Sequence, residues 1–207
     1  METIVYLTRH GETENSEADL YYGQSASPVT NKGQKQVLLL AKRLQSMSID
    51  AIYTSPLERC IQAATLIAQF HGLDAVPVQD FIEIDHGKWE GLTRRQVADN
   101  YPTRYTAWQI DPAGNSPDDG ESGYSVAGRV IPTLIGLVNS HEGKNIVIMA
   151  HNTVNRIVLS HFLGIPITEY RRKVYQYPAA LNNIKFYSDG SSRVILLNDI
   201  SHWSGQL

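Results

Sequence analysis

Short apolar runs rich in β-branched residues alternate along the chain with longer segments in which apolar residues recur every three or four positions. The short runs lack the polar alternation of a half-exposed strand, so each is typical of a strand buried on both faces. Such strands, joined by helical crossovers, favour an α/β fold with a mostly parallel sheet covered on both faces. The predicted strands are TIVYLT at 3–8, AIYT at 51–54, NIVIMA at 145–150 and RVILL at 193–197.

Three longer segments between these strands carry the helical period. The first has apolar residues at helical spacing from Val37 to Met47, and the third from Val126 to Leu137. The second is predicted over 56–70, because Pro56 is suited to the first turn of a helix. The third leads into the strand at 145–150, as a crossover helix does in a parallel sheet.

The stretch from Glu83 to Ser122 differs from the rest in its glycines and prolines, with short helical patterns at 93–100 and 101–108. We interpret it as an excursion from the sheet that forms a cap over one edge. No repeat, low-complexity tract or convincing linker divides the chain. The sequence therefore predicts a single domain over residues 1–207, with a cap-like insertion at about 83–122.

The composition excludes several classes of protein. Of the 207 residues, 42% are apolar and 19% are charged, which is ordinary globular usage and excludes a disordered chain. The net charge is -3 and no basic stripe is present, so nucleic acid is not an expected partner. Cys60 is the single cysteine, which excludes a disulfide framework and a site with several thiolate ligands.

The location of the protein is suggested by the amino-terminal segment METIVYLT, which is too short and too acidic for a signal peptide. No apolar run approaches the ~20 residues that a membrane-spanning helix needs. We therefore expect a cytoplasmic protein without a membrane partner.

Basic side chains follow three of the predicted strands, at the point where each strand ends. Arg9 and His10 leave the first strand, Arg59 lies just after the second, and His151 follows the strand at 145–150. Singly, a strand-end histidine is more often structural, and an arginine is more often a surface residue. Together they meet at the carboxyl edge of the sheet, where ligands bind. Because like charges repel, their convergence favours a multiply charged anion, and arginine forks match phosphoryl oxygens.

The chemistry available at this edge points to phosphoryl transfer without a metal. The sequence has neither a P-loop pattern nor an aspartate cluster suited to magnesium. A side-chain nucleophile is then needed, and a histidine can accept a phosphoryl group covalently. The leaving alkoxide also needs a proton donor. Glu83, Asp85 and His86 lie together in the segment FIEIDHGKWEG, and their spacing does not choose between the two carboxylates.

Six short motifs follow one another along the chain, from RHGET at 9–13 to AH at 150–151. In their order they resemble the histidine phosphatase superfamily, which includes the cofactor-dependent phosphoglycerate mutases. They cover most of the chain, and six in register are far more specific than any one of them. The resemblance implies a three-layer α/β/α sandwich with no metal and no other cofactor. The motifs are RHGET at 9–13 followed by Asn15, TxxGxxQ at 30–36, SPLxR at 55–59, EIxxGxWEG at 83–91, GES at 120–122 and AH at 150–151.

The family pattern also implies a role for each matched residue. His10 would be the phosphorylated nucleophile, and Glu83 would be the proton donor. The phosphate pocket would consist of Arg9, Arg59 and His151. The residues expected to assist in binding the substrate are Asn15, Gly23, Gln24 and Asn152.

The segment around Glu83 resembles the phosphatase branch more than the mutases, which usually carry a longer insertion there. His86, with a carboxyl-terminal tail that contains His202, is similar to the metal-independent phosphoserine phosphatases of bacteria. That resemblance implies that both histidines contact the amino-acid part of the substrate. Two departures bear on specificity: Ala63 replaces a common threonine, and Asn152-Thr153 replaces Gly-Gly or Gly-Val.

We therefore expect a phosphomonoesterase that works through phosphohistidine on a small phosphorylated metabolite, with L-phosphoserine as the leading substrate. The enzymatic alternatives are phosphoglycerate mutase, α-ribazole phosphatase and a broad sugar-phosphate phosphatase. The alternative of another class is a catalytically silent protein that binds phosphorylated ligands. The presence of both His10 and Glu83 favours an enzyme, because binding needs only the arginines. A homodimer is the candidate assembly.

Overall fold

Six strands form one sheet in the part of the chain that the computed structural model describes, residues 2–17 and 20–207. Across the sheet the strands follow the order β3-β2-β4-β1-β5-β6. They are β1 (Glu2–Arg9), β2 (Ala51–Thr54), β3 (Ala75–Pro77), β4 (Asn145–Ala150), β5 (Leu181–Tyr187) and β6 (Ser192–Asp199).

The direction of the strands confirms a mostly parallel sheet. β1, β2, β3 and β4 pair in parallel, whereas β5 runs antiparallel to both β1 and β6. The hydrophobic pattern did not predict β3 or β5. β3 is three residues long and lies at the sheet edge, and β5 reads LNNIKFY, with asparagines that are poor strand formers.

The helices cover both faces of this sheet. On one face, α2 and α3 pack with one side of the strands around Leu40, Ile67 and Val147. On the other face, α6 and α7 pack around Leu134 and Ile148. The three-layer α/β/α sandwich is therefore confirmed. The helices are α1 (Glu14–Glu17), α2 (Asn31–Leu44), α3 (Glu58–Gln69), α4 (Arg94–Asn100), α5 (Pro102–Ile110), α6 (Gly123–Ser140), α7 (Asn152–Phe162) and α8 (Tyr170–Lys173).

The starts of two predicted helices show what sets a helix boundary here. α2 begins after Thr30, whose hydroxyl accepts a hydrogen bond from the Gly33 amide at 3.0 Å. The prediction that Pro56 lies in the first turn of the next helix is wrong. α3 begins at Glu58, because Leu57 keeps an extended backbone before it.

The insertion between the acidic segment and α6 has a hydrophobic cluster of its own. α4 and α5 contribute Val97 and Trp108, which pack with Tyr21 and Trp89. Tyr21 lies about sixty residues before the insertion, so the cluster ties the segment around Tyr21 to the insertion.

In the part of the chain that the structure describes, every helix is too short or too polar to span a membrane.

A buried pair of side-chain amides holds β5 against the loop that precedes it. Asn182 and Gln176 donate to each other at 2.8 and 3.0 Å, and both are fully buried. The Asn182 amide also donates to the Leu7 carbonyl of β1 at 2.9 Å. This network fixes the loop next to the end of β1, where Arg9 and His10 lie.

We expect Asn182→Ala to lower the free energy of unfolding by about 1–3 kcal/mol, because Gln176 is then left buried without its partner. Urea denaturation measures the change. The matched control is Asn183→Ala on the same strand, since the side-chain oxygen of Asn183 has no hydrogen-bond partner among the described residues. Equal losses in the two variants would contradict a specific role for the amide pair.

Candidate active site

His10 follows the last residue of β1 and is 3% exposed. The strand register pairs Arg9 with Ala150, so the ends of β1 and β4 lie side by side. The Nδ1 atom of His10 lies 2.7 Å from the Gly11 carbonyl oxygen, which can only accept a hydrogen bond. Nδ1 therefore carries the proton in the neutral ring, and Nε2 keeps a free lone pair.

The backbone after His10 depends on a close approach between two glycines. A Cβ at Gly11 would lie 2.3 Å from the Gly33 carbonyl oxygen, far inside normal contact. A Cβ at Gly33 would meet the Glu12 carbonyl oxygen at 2.1 Å. Glycine is required at both positions because the loop after β1 packs directly onto the start of α2.

His151 lies behind His10, with ring centroids 5.2 Å apart. It is fully buried, and its Nε2 shares a hydrogen bond of 2.6 Å with the Ser55 hydroxyl at the end of β2. His151 does not form part of the cavity wall described below. It packs against the nucleophile candidate from inside the protein.

Both histidines are held in the neutral form. Burial lowers the pKa of His10 well below its ordinary value, and the positive charges of Arg9 and Arg59 act in the same direction. Burial also lowers the pKa of His151, with further contributions from His10 and Arg59. A neutral His10 with a free Nε2 is the form that can attack phosphorus.

Two arginines present unused donors beside His10. Arg9 donates through Nη1 to the Gln176 carbonyl at 2.6 Å, and Arg59 donates to the carbonyls of Gly23 and Ser25 at 2.5 and 3.1 Å. The Nε atoms of both arginines are buried with no hydrogen-bond partner among the described residues. Both guanidinium groups also line the cavity described below, and a pair of guanidinium groups suits an anionic ligand.

Glu83 is 6% exposed and lies at the amino terminus of α7. Its Oε1 accepts from the Ile84 amide at 2.8 Å, and its Oε2 accepts from the Thr153 amide at 3.0 Å. Arg129 of α6 donates to the Glu83 carbonyl at 3.3 Å and thereby holds the loop in place. Asp85 instead accepts from the Gly87 amide at 2.7 Å within a turn and does not line the cavity.

These side chains surround a cavity of about 300 Å³ at the carboxyl edge of the sheet. Glu83 of the acidic segment, and not Asp85, is its carboxylate. Seven residues predicted from the sequence line it. They are Arg9, His10, Asn15, Arg59, Glu83, His86 and Asn152.

Gly23 and Gln24 lie beside the cavity wall and not in it. The Gly23 amide donates to Glu90 Oε1 at 2.7 Å, and the Gln24 side chain donates to the Glu83 carbonyl at 3.1 Å. A Cβ at Gly23 would lie 1.7 Å from the Ile84 carbonyl oxygen. These two residues therefore dock their loop against the segment that carries Glu83.

The structure does not bring His202 to the cavity. Its Nε2 donates to the Ala179 carbonyl at 3.0 Å, and Arg43 donates to its Nδ1 at 3.3 Å. The Ala179 amide in turn donates to the His10 carbonyl at 2.9 Å. His202 thus contacts the backbone that supports His10 and lies away from the space where a substrate fits.

Several residues of the site were not predicted from the sequence. They come from two segments: Ser55, which follows β2, reaches His151, and the neighbours Tyr175 and Gln176 reach the cavity wall and Arg9. Ser55 carried a usable signal, because it ends a predicted strand. The others lie before β5, which the hydrophobic pattern did not predict, so no signal in the sequence placed them here.

Among the described residues, no group of three or more His, Cys, Asp or Glu side chains is arranged to hold a metal ion. The positively charged side chains that line the cavity are arginines, among them Arg9 and Arg59.

The lone thiol, Cys60, is buried next to His151, and burial raises its pKa above the ordinary value.

A family model for the histidine phosphatase superfamily (branch 1) matches residues 5–200. The chain belongs to this superfamily. It is 32% identical over 164 residues to phosphoserine phosphatase 1 of Hydrogenobacter thermophilus, which covers 79% of this chain and 78% of that protein. The superfamily predicted from the six motifs is therefore confirmed.

Solved structures give the same result for the fold. Bacillus stearothermophilus YhfR superposes with a TM-score of 0.91 at 28% identity, covering 97% of this chain and 98% of that one. The α-ribazole phosphatase from Shigella flexneri superposes with a TM-score of 0.87 at 25% identity, covering 95% and 96%. The chain is thus a phosphatase of the superfamily, and relatives with different substrates share its fold.

We expect the free energy of unfolding to fall as the pH is lowered below about 6.5. The unfolded chain binds protons there that the folded chain does not, because His10, His151 and His86 are buried in neutral form. Each such histidine contributes a slope of about 1.4 kcal/mol per pH unit. Urea denaturation at several pH values between 7 and 5 measures the slope.

The variant His86→Phe serves as the control, since burial lowers the pKa of His86 to about 4. It should reduce the slope by the share of one histidine over this pH range. An unfolding free energy that stays constant from pH 7 to 5 would contradict the burial of these histidines in neutral form.

Proposed function

We propose that the protein is a metal-independent phosphomonoesterase that works through a phosphohistidine on His10. The observation that carries this proposal is the state of the His10 ring. The ring is neutral, and because Nδ1 donates to the Gly11 carbonyl oxygen, Nε2 keeps a lone pair that can attack phosphorus. His10 lies in a cavity that Arg9 and Arg59 also line. A nucleophile and two guanidinium groups in one cavity together suit a phosphoryl group.

In the first step, His10 Nε2 attacks the phosphorus atom and the bond from phosphorus to the ester oxygen breaks. Glu83, in its protonated form, gives its proton to that oxygen, so the leaving group departs as a neutral alcohol. The Nδ1 proton of His10 stays on its hydrogen bond to the Gly11 carbonyl. Arg9 and Arg59 neutralise the charge of the transferring group.

In the second step, water attacks the phosphohistidine. The Glu83 carboxylate accepts a proton from the water, and the bond from phosphorus to Nε2 breaks as inorganic phosphate forms. His10 returns to its neutral form and Glu83 to its protonated form. The Thr153 amide at the start of α7 stabilises Glu83 while it carries a negative charge.

Metal independence follows from the source of the positive charge. The two arginines have fixed positions, because Arg9 is tied to the Gln176 carbonyl and Arg59 to the carbonyls of Gly23 and Ser25. Two preorganised guanidinium groups supply the stabilisation that a divalent cation supplies in other phosphatases.

The substrate we propose is L-phosphoserine. The phosphoserine phosphatase of Hydrogenobacter thermophilus supports it at 32% identity, and His86 supports it by its place in the cavity wall, three residues after Glu83. The position of His202 removes the second contact that the sequence predicted for the amino-acid part. The presence of Glu83 beside His10 favours an enzyme over a silent binding protein. A cytoplasmic location and a homodimer stay predictions.

A screen of phosphorylated metabolites in excess chelator tests the class of reaction. We expect turnover to persist, with O-phospho-L-serine among the best substrates, because no step uses a metal. Quenching during turnover should trap acid-labile phosphate on the protein, and His10→Ala should abolish both turnover and labelling while the protein stays folded. Loss of turnover in chelator that magnesium restores, or labelling that survives in His10→Ala, would overturn the mechanism.

Glu83→Gln tests the proton donor. We expect the rate with an alkyl phosphate to fall by roughly 10²–10⁴-fold, since Gln cannot transfer the proton. The rate with p-nitrophenyl phosphate should fall much less, because an acidic phenol leaves without protonation. Asp85→Asn is the matched control and should leave both rates nearly unchanged. Equal losses on the two substrates in Glu83→Gln would argue for another donor.

A further inference from the structure

The described part of the cavity wall contains arginines beyond the two that lie beside His10. Among the described residues that line it, five are arginines, whereas Glu83 is the single carboxylate. Two of these arginines lie beside His10 and account for the phosphate pocket. The five are Arg9, Arg59, Arg94, Arg156 and Arg171.

Arg171 is held in a defined position by Trp108. Its Cζ lies 3.8 Å from the centroid of the Trp108 ring, which is close stacking of a guanidinium on an aromatic face. Trp108 is 2% exposed and belongs to the aromatic cluster of the insertion. A guanidinium stacked in this way keeps its N–H groups in the plane of the fork, available to a ligand.

The backbone under Arg171 is fixed as well. Arg156 of α7 donates to the Arg171 carbonyl and, at 2.7 Å, to the Val174 carbonyl. Arg156 thus holds α8 in place through hydrogen bonds from its guanidinium group. The guanidinium of Arg171 has a different environment. No Asp or Glu among the described residues forms an ion pair with Arg171.

The neighbouring Arg172 shows the contrast. Its side chain is 62% exposed and pairs with Glu169 on the same turn at 3.4 Å. It does not line the cavity. Both arginines border a second cavity beside Gln109, but only Arg171 also lines the cavity that contains Glu83.

The position of Arg171 relative to His86 shows which part of a substrate it would meet. The His86 ring lies 6.5 Å from the Trp108 ring, centroid to centroid, and the Arg171 guanidinium lies 3.8 Å over the same Trp108 ring, so both groups are packed around Trp108. His86 is three residues after Glu83, which protonates the leaving oxygen in the proposed reaction. All three side chains line one cavity, so a leaving group that receives its proton from Glu83 can reach the part of the wall that holds His86 and Arg171.

We infer that Arg171, stacked on Trp108, forms a second anion-binding subsite for a carboxylate or phosphate on the leaving group of the substrate. The inference rests on the proposed function and names its substrate class. The class comprises phosphomonoesters whose alcohol part carries its own negative charge. The subsite disfavours substrates with neutral leaving groups, such as unmodified nucleosides and sugars, because their binding would leave the Arg171 guanidinium without an anionic partner.

Binding of two phosphonates by calorimetry tests the subsite without turnover. L-2-amino-4-phosphonobutanoate and 3-aminopropylphosphonate differ by one carboxylate, and their carbon–phosphorus bonds resist hydrolysis. We expect the carboxylated compound to bind more tightly, and Arg171→Gln to weaken it by about 10- to 100-fold, as for loss of a hydrogen bond between charged groups. Binding of the compound without a carboxylate should change by less than about threefold.

Propane-1,3-bisphosphonate, measured in the same way, separates the two kinds of anion. A loss of affinity in Arg171→Gln that is confined to the carboxylated compound assigns the subsite to a carboxylate. A loss confined to the bisphosphonate assigns it to a phosphate. If Arg171→Gln weakens neither compound, or weakens all three equally, the subsite does not exist as inferred.

Two further variants separate binding from a structural role. Arg172→Gln is the matched control and should leave all three affinities unchanged. Arg171→Lys keeps the charge and should restore part of the lost affinity. If Arg171 only tied the insertion to α8, then Arg171→Gln would lower the melting temperature and weaken all probes alike.

Hydrolysis of p-nitrophenyl phosphate distinguishes failure of this inference from failure of the proposed function. The Arg171→Gln variant should show a raised KM for O-phospho-L-serine relative to O-phosphoethanolamine, whereas Arg172→Gln should keep the wild-type rate on p-nitrophenyl phosphate. If the wild-type protein hydrolyses p-nitrophenyl phosphate but Arg171→Gln alters no preference, the subsite alone is wrong. If it hydrolyses no phosphomonoester, the proposed function is wrong, and phosphonate binding still decides the subsite.

Discussion

Arg9 and Arg59 reach the same buried place next to His10, and their positive charges repel one another and oppose protonation of the imidazole. A folded chain keeps such groups together only when other contacts hold each of them firmly. Carbonyl oxygens of Gln176, Gly23 and Ser25 do so here, because they accept hydrogen bonds from the two guanidinium groups. Burial, together with the same positive charges, keeps His10 neutral, which is the form that the proposed attack on phosphorus needs.

The scaffold meets this constraint by bringing loops from distant segments to one edge of the sheet. The register of β1 against β4 sets His10 beside His151, and Ser55 at the end of β2 fixes His151 from the other side. The loop before β5 then closes on Arg9 and His10, anchored by the buried amide pair of Asn182 and Gln176. Rigid strands therefore carry the reacting groups, and the loops are tied down around them.

The insertion has two functions in this arrangement. Its acidic segment presents Glu83 to the start of α7, where the Thr153 amide donates to the Glu83 carboxyl group and fixes its position. Its aromatic cluster presents Trp108, on which Arg171 stacks. The insertion thus lines the part of the cavity in which we propose that the leaving group binds. Phosphatases of one superfamily that act on different alcohols have to differ in this part of the site.

The sequence by itself determined the fold class, the superfamily and the main charged groups of the site, because these depend on local patterns. Buried strands have continuous apolar runs, and Arg9, His10, Arg59 and His151 each follow such a run directly. Only the tertiary structure showed that Glu83 lines the cavity and Asp85 does not, because Glu83 meets the start of α7 whereas Asp85 accepts from the Gly87 amide within its own turn. It also placed His202 outside the cavity and Arg171 within it. A tail histidine and one arginine in a basic run have no local pattern that reports what they face, since that depends on packing between segments far apart in the chain.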